Sequence, residues 1–198
     1  MNKILPAKKL AAVALCALAL SGCVRLSGAK VPETLLNLTA QKTAAAGAWA
    51  RGNYDEAVVV LEPQVDQRLN VTRVPVQVDE ANVAYVRNAV WVERPARLFQ
   101  HLLAETIRAN GGGRLVVESD PGASGLRVSG RLLDMGYDAR TKSVVVRYDA
   151  VVERTGGTVE TTRFEAVVPN VKADADQVGV ALNKAANDVA AQVAAWIG

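Results

Sequence analysis

Apolar and polar residues alternate through much of the second half of the chain. Leu126, Val128 and Leu132 are interleaved with Arg127, Ser129 and Arg131. Val144, Val146, Tyr148, Ala150 and Val152 are interleaved with Arg147, Asp149 and Glu153, and Phe164, Ala166 and Val168 with Arg163 and Glu165. A period of two with one polar face predicts three strands of an antiparallel meander, packed on one side and wet on the other. Thr155-Gly156-Gly157-Thr158 predicts a two-residue hairpin between the last two.

Two stretches carry the helical period instead. Arg94-Pro95 opens the first, since proline's missing N–H costs nothing in a first turn. Leu98, Leu102 and Thr106 then form one stripe, with Phe99, Leu103 and Ile107 beside it, and Asn110-Gly111 predicts a left-handed stop. The second helix begins at Asp174, with Gln177 three residues on as a capping-box-like pair. Its stripe is Val178, Leu182, Ala185, Val189, Val193 and Trp196.

Shorter apolar runs complete the pattern. Glu33 to Leu38 predicts a short first strand and Ala57 to Leu61 a buried one stopped by Pro63. Val74 to Val78 and Asn82 to Val86 predict two strands around an Asp79-Glu80 turn, and Arg114 to Glu118 another. The Ala- and Gly-rich stretch from Ala40 to Asn53 suits a weak helix or a loop, and a loop is the expectation. Two apolar helix stripes need a surface and a one-sided meander needs a cover. The expected fold is therefore α/β: a mixed, largely antiparallel sheet with two main helices packed on it.

The N-terminus follows another rule. Lys3, Lys8 and Lys9 precede an unbroken apolar run of 11 residues, Leu10 to Leu20. That is too short to cross a bilayer, which needs about 20 residues, and has the length of a signal-peptide core. Leu20-Ser21-Gly22-Cys23 follows and resembles a bacterial lipobox. Small Ser21 and Gly22 suit a peptidase, and the Cys23 thiol can accept diacylglycerol. The chain then divides into a lipoprotein signal peptide over 1–22, the lipidated Cys and a short tether over 23–30, and one domain over 31–198. The seven residues Val24 to Lys30 reach at most about 23 Å, so the domain sits close to its membrane.

Charge and composition now change meaning. The net charge of +3 equals the three lysines of the leader, and residues 23–198 carry 20 basic and 20 acidic groups. The basic pI is no sign of a nucleic-acid partner. Aromatics, at 5%, are too few for base-stacking platforms. Cys16 leaves with the leader and Cys23 becomes a thioether, so no thiol remains for a disulfide, a metal or a nucleophile.

His101 is the single histidine, placed beside the Leu98–Leu102 stripe and one turn from Glu105. No G-x-S-x-G elbow accompanies it, and zinc would need further His or Cys ligands. Gly111-Gly112-Gly113 follows a helix and precedes a strand, the reverse of a phosphate loop. Asp174 and Asp176 suit a helix N-terminus rather than calcium. No catalytic residue, metal site or cofactor is expected. Trp91 and Pro95 are expected to form a structural corner, with the charged Glu93, Arg94 and Arg97 around it as the candidate partner interface.

Leu61-Glu62-Pro63, then Arg73-Val74-Pro75-Val76, then Asn88-Ala89-Val90-Trp91-Val92-Glu93-Arg94-Pro95 with Leu98 and Leu102-Leu103 follow in order. The last run carries a W-x-E-x-P element. With the lipobox and the long terminal helix, this resembles the ABC-type transport auxiliary lipoproteins, the PqiC/YmbA-like proteins. The resemblance implies a non-enzymatic accessory on the periplasmic side of the outer membrane. It also implies service to an MCE-domain protein and ABC permease moving lipids or other hydrophobic compounds between membranes. Val24 after Cys23 is not the Asp with which enterobacteria retain lipoproteins at the inner membrane, which favours the outer one. Several identical copies around a tube-like partner form a candidate homo-oligomer. Two other readings stand beside this one. An activator of a cell-wall synthase would carry a longer tether than seven residues, and a lipoprotein hydrolase would need the nucleophile pattern that is missing.

Overall fold

The thirteen-residue strand Leu126–Asp138 is the axis on which the rest of the fold is assembled. A computed structural model describes residues 34–119, 122 and 125–198. Cys23 and the lipobox residues Leu20, Ser21 and Gly22 lie outside the described residues. In chain order the strands are β1 (Val58–Val60), β2 (Gln64–Val65), β3 (Arg73–Gln77), β4 (Val83–Val90), β5 (Val116–Val117), β6 (Leu126–Asp138), β7 (Ser143–Glu153) and β8 (Val159–Val168). The helices are α1 (Pro95–Asn110) and α2 (Ala175–Ile197).

On one edge β6 receives β1, β2 and β3 in succession, all parallel. On its other edge it pairs antiparallel with β7, and β7 with β8. β5 extends the sheet beyond β1, and β4 extends it beyond β3. The sheet is therefore mixed: the expected meander and the β3–β4 pair are antiparallel, and the other pairings are parallel.

Both helices lie on the face whose residues alternate as apolar. Val128, Leu132, Val144, Val146, Tyr148, Ala150 and Val152 are fully buried there. Phe99 of α1 meets Tyr148 of β7 with ring centroids 5.2 Å apart, and Trp196 of α2 meets Phe164 of β8 at 5.6 Å. Such tilted pairs add about 0.5–1.5 kcal/mol to their area burial. The small residues Ala181, Ala185, Ala186 and Ala190 are buried along α2, which packs against α1 as well as the sheet. The predicted cap is present: the Asp174 carboxylate accepts from Gln177 N–H at 2.9 Å.

Four local expectations are corrected. The predicted first strand is described only from Thr34 on and no strand forms over 34–38; there Leu36 alone makes an isolated parallel bridge with Trp91. Beyond it the backbone leaves the sheet for α2, where Thr39 N–H donates to Asn183 Oδ1 and Gln41 N–H to Asn187 Oδ1, each at 2.8 Å. Gly111 does not take the left-handed form, its φ being −85°. The reversal is made by Gly112 and Gly113, with φ of 58° and 92°. The strand predicted over 114–118 shrinks to the two residues of β5. Finally, the β7–β8 hairpin has a three-residue loop. Arg154 N–H donates to Thr158 O at 2.8 Å and Gly157 N–H to Arg154 O at 3.0 Å. Gly156 and Gly157 both sit at positive φ, so the loop uses both glycines, with one residue more than a two-residue turn.

Candidate partner-binding surface

The corner joining β4 to α1 is built as the residue types require. Trp91 follows the last residue of β4 and is 1% exposed. Its N–H donates to Thr72 O at 2.7 Å, and the next residue, Val92, donates to Leu36 O at 2.9 Å. The indole Nε1 has no acceptor among the described residues, so the ring is held by packing and not by a polar bond. Arg94 is the extended residue before the helix, and buried Pro95 fills the first helical position. Trp91 is therefore buried at the end of β4 and Pro95 at the start of α1.

The three charged candidates do not act as one group. Glu93 and Arg97 pair at 3.3 Å on the exposed side of α1. Arg94 points elsewhere, its Nη1 donating to Asn70 Oδ1 at 3.3 Å. Glu93 instead belongs with residues not assigned to the interface from sequence. His101 Nε2 lies 3.8 Å from its carboxylate, and His101 Nδ1 hydrogen-bonds Glu118 beyond the helix. Glu118 also meets Arg108 at 3.5 Å. The expected neighbour of His101, Glu105, is occupied by Arg108 and by Ala44 N–H, the latter at 2.8 Å. The result is a run of paired side chains, Arg97–Glu93–His101–Glu118–Arg108–Glu105, along the solvent side of α1. The i, i+4, i+8 spacing of Glu93, Arg97 and His101 was available as a signal; the arrival of Glu118 from the bend just after β5 was not.

A second charged surface covers the open face of the sheet. Arg147 bridges Asp134 and Glu165, and Arg68 reaches Asp134 from the loop after β2. Asp149 pairs with Arg163 at 2.6 Å, and Arg131 with Asp66. Hydrogen bonds from Arg163 hold the Asp149 carboxyl below the usual carboxylate range, and those from Arg140 do the same to Asp138. Arg68, Gln77, Asp134, Asp138, Arg140 and Arg147 line an open cleft of about 370 Å³. The acids Asp134 and Asp138 in it are already paired to arginine. A face whose acids are already paired to arginine is poorly suited to proton transfer. Among the described residues no group of three His, Cys, Asp or Glu could hold a metal ion. Nor is any described helix long and apolar enough to cross a membrane.

The model for the ABC-type transport auxiliary lipoprotein component matches residues 35–194, from the Leu36–Trp91 bridge through most of α2. The chain belongs to this family. The match takes in the corner, the α1 strip and the whole sheet, so all the surfaces described above are parts of the family domain. No curated protein matches the chain. Among solved structures, a Xanthomonas campestris protein of the family DUF330 superposes with a TM-score of 0.68 at 15% identity, over 83% of this chain and 94% of that one. The crystal structure of an uncharacterised protein gives 0.66 at 13%, over 83% and 100%. Both share the fold. A PelC dodecamer from Paraburkholderia phytofirmans reaches only 0.39 at 13% identity, over 73% and 89%, too slight a likeness to inform this chain.

Proposed function

We propose that the protein is a lipid-anchored, non-enzymatic accessory subunit of an MCE/ABC-type intermembrane transport system, held through Cys23 at the periplasmic face of the outer membrane. One observation carries the reading: a transport-auxiliary family domain over 35–194 stands directly behind the lipobox Leu20-Ser21-Gly22-Cys23. Acyl chains on Cys23 would anchor it, since one chain binds a membrane only marginally and two or more bind stably. A short tether keeps the domain at that membrane, so joining a route to the other membrane calls for a partner that spans the gap. The α1 strip, with both signs of charge on a rigid helix, is the surface assigned to that partner. Its central residues are Glu93 and Arg97.

Crosslinking in membranes of the native host, followed by purification of this chain, tests the reading. Recovery of an MCE-domain protein or its permease, lost in Cys23→Ala, is the expected result. Recovery of a penicillin-binding protein without either would favour a cell-wall synthase activator instead.

A further inference from the structure

We infer that the corner where the chain enters the folded domain is a contact surface for the anionic phospholipid headgroups of the membrane that holds the protein. This rests on the lipid-anchor reading above and adds a second, electrostatic attachment to it.

Three arginines near this corner in sequence or strand register have no carboxylate partner among the described residues. Arg73 stands opposite Val90 in the β3–β4 register and lies 3.8 Å over the Tyr85 ring. Arg87 sits in the irregular stretch of β4 beside Asn88, whose φ is 60°. Arg94 bonds only the neutral Asn70 side chain. On the open sheet face, by contrast, Arg68, Arg131, Arg147 and Arg163 are each ion-paired. Two aliphatic side chains are exposed at the same corner, Leu35 at 48% and Val92 at 49%. They flank the Leu36–Trp91 bridge, whose own two side chains turn inward to the core.

This corner is also where the chain leads back to the anchor. Ten residues, 24–33, separate Cys23 from the first described residue, Thr34, and span at most about 33 Å. The bridge at Leu36 is thus the part of the domain closest along the chain to the lipidated residue. Unpaired arginines there meet the negative potential of anionic lipid, while Leu35 and Val92 offer apolar area to the headgroup boundary. The same arginines facing a tether without acyl lipid would have no such field to meet.

The test uses the full chain, expressed so that it is processed and acylated, purified in detergent and reconstituted into vesicles. Val92→Cys carries an environment-sensitive fluorophore. Val167→Cys on β8, at 48% exposure, is the matched control. Acylation at Cys23 is read separately by mass. Emission from position 92 should shift to the blue in phosphatidylglycerol–phosphatidylethanolamine vesicles and much less in phosphatidylcholine, with position 167 unchanged. High salt should reduce the shift. Arg73→Gln, Arg87→Gln and Arg94→Gln together should abolish it while the melting curve is kept. An acylated protein with equal emission at the two positions, or in the two lipids, overturns the inference and leaves the anchor standing. A mass without acyl chains overturns both. A triple variant that keeps its vesicle shift but no longer recovers a protein partner assigns the patch to an acidic protein, and also overturns it.

Discussion

Leu36 and Trp91 meet across an isolated parallel bridge, with Leu36 N–H donating to Val90 O at 2.7 Å and its carbonyl accepting from Val92 N–H at 2.9 Å. This pairing ties the start of the folded domain to the β4–α1 corner. It leaves Val92 and the charged residues after it at the surface. The division between a buried corner and exposed charged residues has measurable consequences.

Trp91→Ala should destabilise the protein by about 3–5 kcal/mol, the range for removing a large buried aromatic. Arg97→Glu should change stability by less than about 1 kcal/mol, because its pairing with Glu93 is solvent-exposed, and should still weaken recovery of the partner. Urea unfolding of both variants checks this. Equal losses would show that the strip is structural.

The segment ahead of β1 is held by two asparagines of α2, together with Glu105 of α1, which accepts from Ala44 N–H. Asn187 Nδ2 donates to Thr39 O at 2.9 Å while its Oδ1 accepts from Gln41 N–H, and Asn183 holds Thr39 N–H. Asn187→Ala should cost about 1–3 kcal/mol and raise proteolytic cleavage within 39–53 before the core is attacked. Limited proteolysis followed by mass mapping reads this; an unchanged cleavage rate would mean the segment is held by something else.

Much of the fold was legible because its signals are local. The alternation at Val144–Val152 and the stripe at Leu98–Ile107 each require one burying partner, and the sheet and helices provide it. The parallel joining of β1, β2 and β3 to β6 was not legible, since the two residues of β2 carry no period. The Asn183/Asn187 pair sits beside the apolar stripe of α2 at i, i+4 and was hidden by it. Sequence proximity alone did not show that Glu93 pairs with Arg97 while Arg94 reaches Asn70, on the turn before β3. The partners of His101 and of the sheet arginines come from distant strands, so their register had to be seen.

Gly130 lies within β6 at φ 149°, and a Cβ there would come within 2.0 Å of Asp149 O. It would also approach the Tyr148 hydroxyl, which donates to Ser129 O at 2.6 Å. Gly130→Ala should therefore destabilise by about 3 kcal/mol or more, from overpacking and backbone strain together. Denaturant unfolding is the measurement, and a loss below about 1 kcal/mol would contradict the close β6–β7 approach.

Acid should weaken the sheet face in a defined window. Asp149 and Asp138 have folded pKa values below their unfolded ones, chiefly through hydrogen bonds from Arg163 and Arg140. Each contribution is present above the unfolded value of about 4 and is lost as pH falls through the folded value. Thermal unfolding should therefore show this contribution undiminished between about pH 7 and 5, and lost below about pH 4. In Asp149→Asn the acid-side loss should be shallower. A steeper loss in that variant would contradict the sign.

The most direct test of the account places a photo-crosslinking amino acid at position 97, on the α1 strip, in the otherwise intact lipoprotein within its native host. A matched protein carries it at position 163 on the sheet face. Mass spectrometry of the irradiated, purified product identifies what each position touches. The account predicts an MCE-domain protein joined at position 97, and no such product at 163. A penicillin-binding protein joined at 97, or an MCE-domain product at 163 and none at 97, would contradict it.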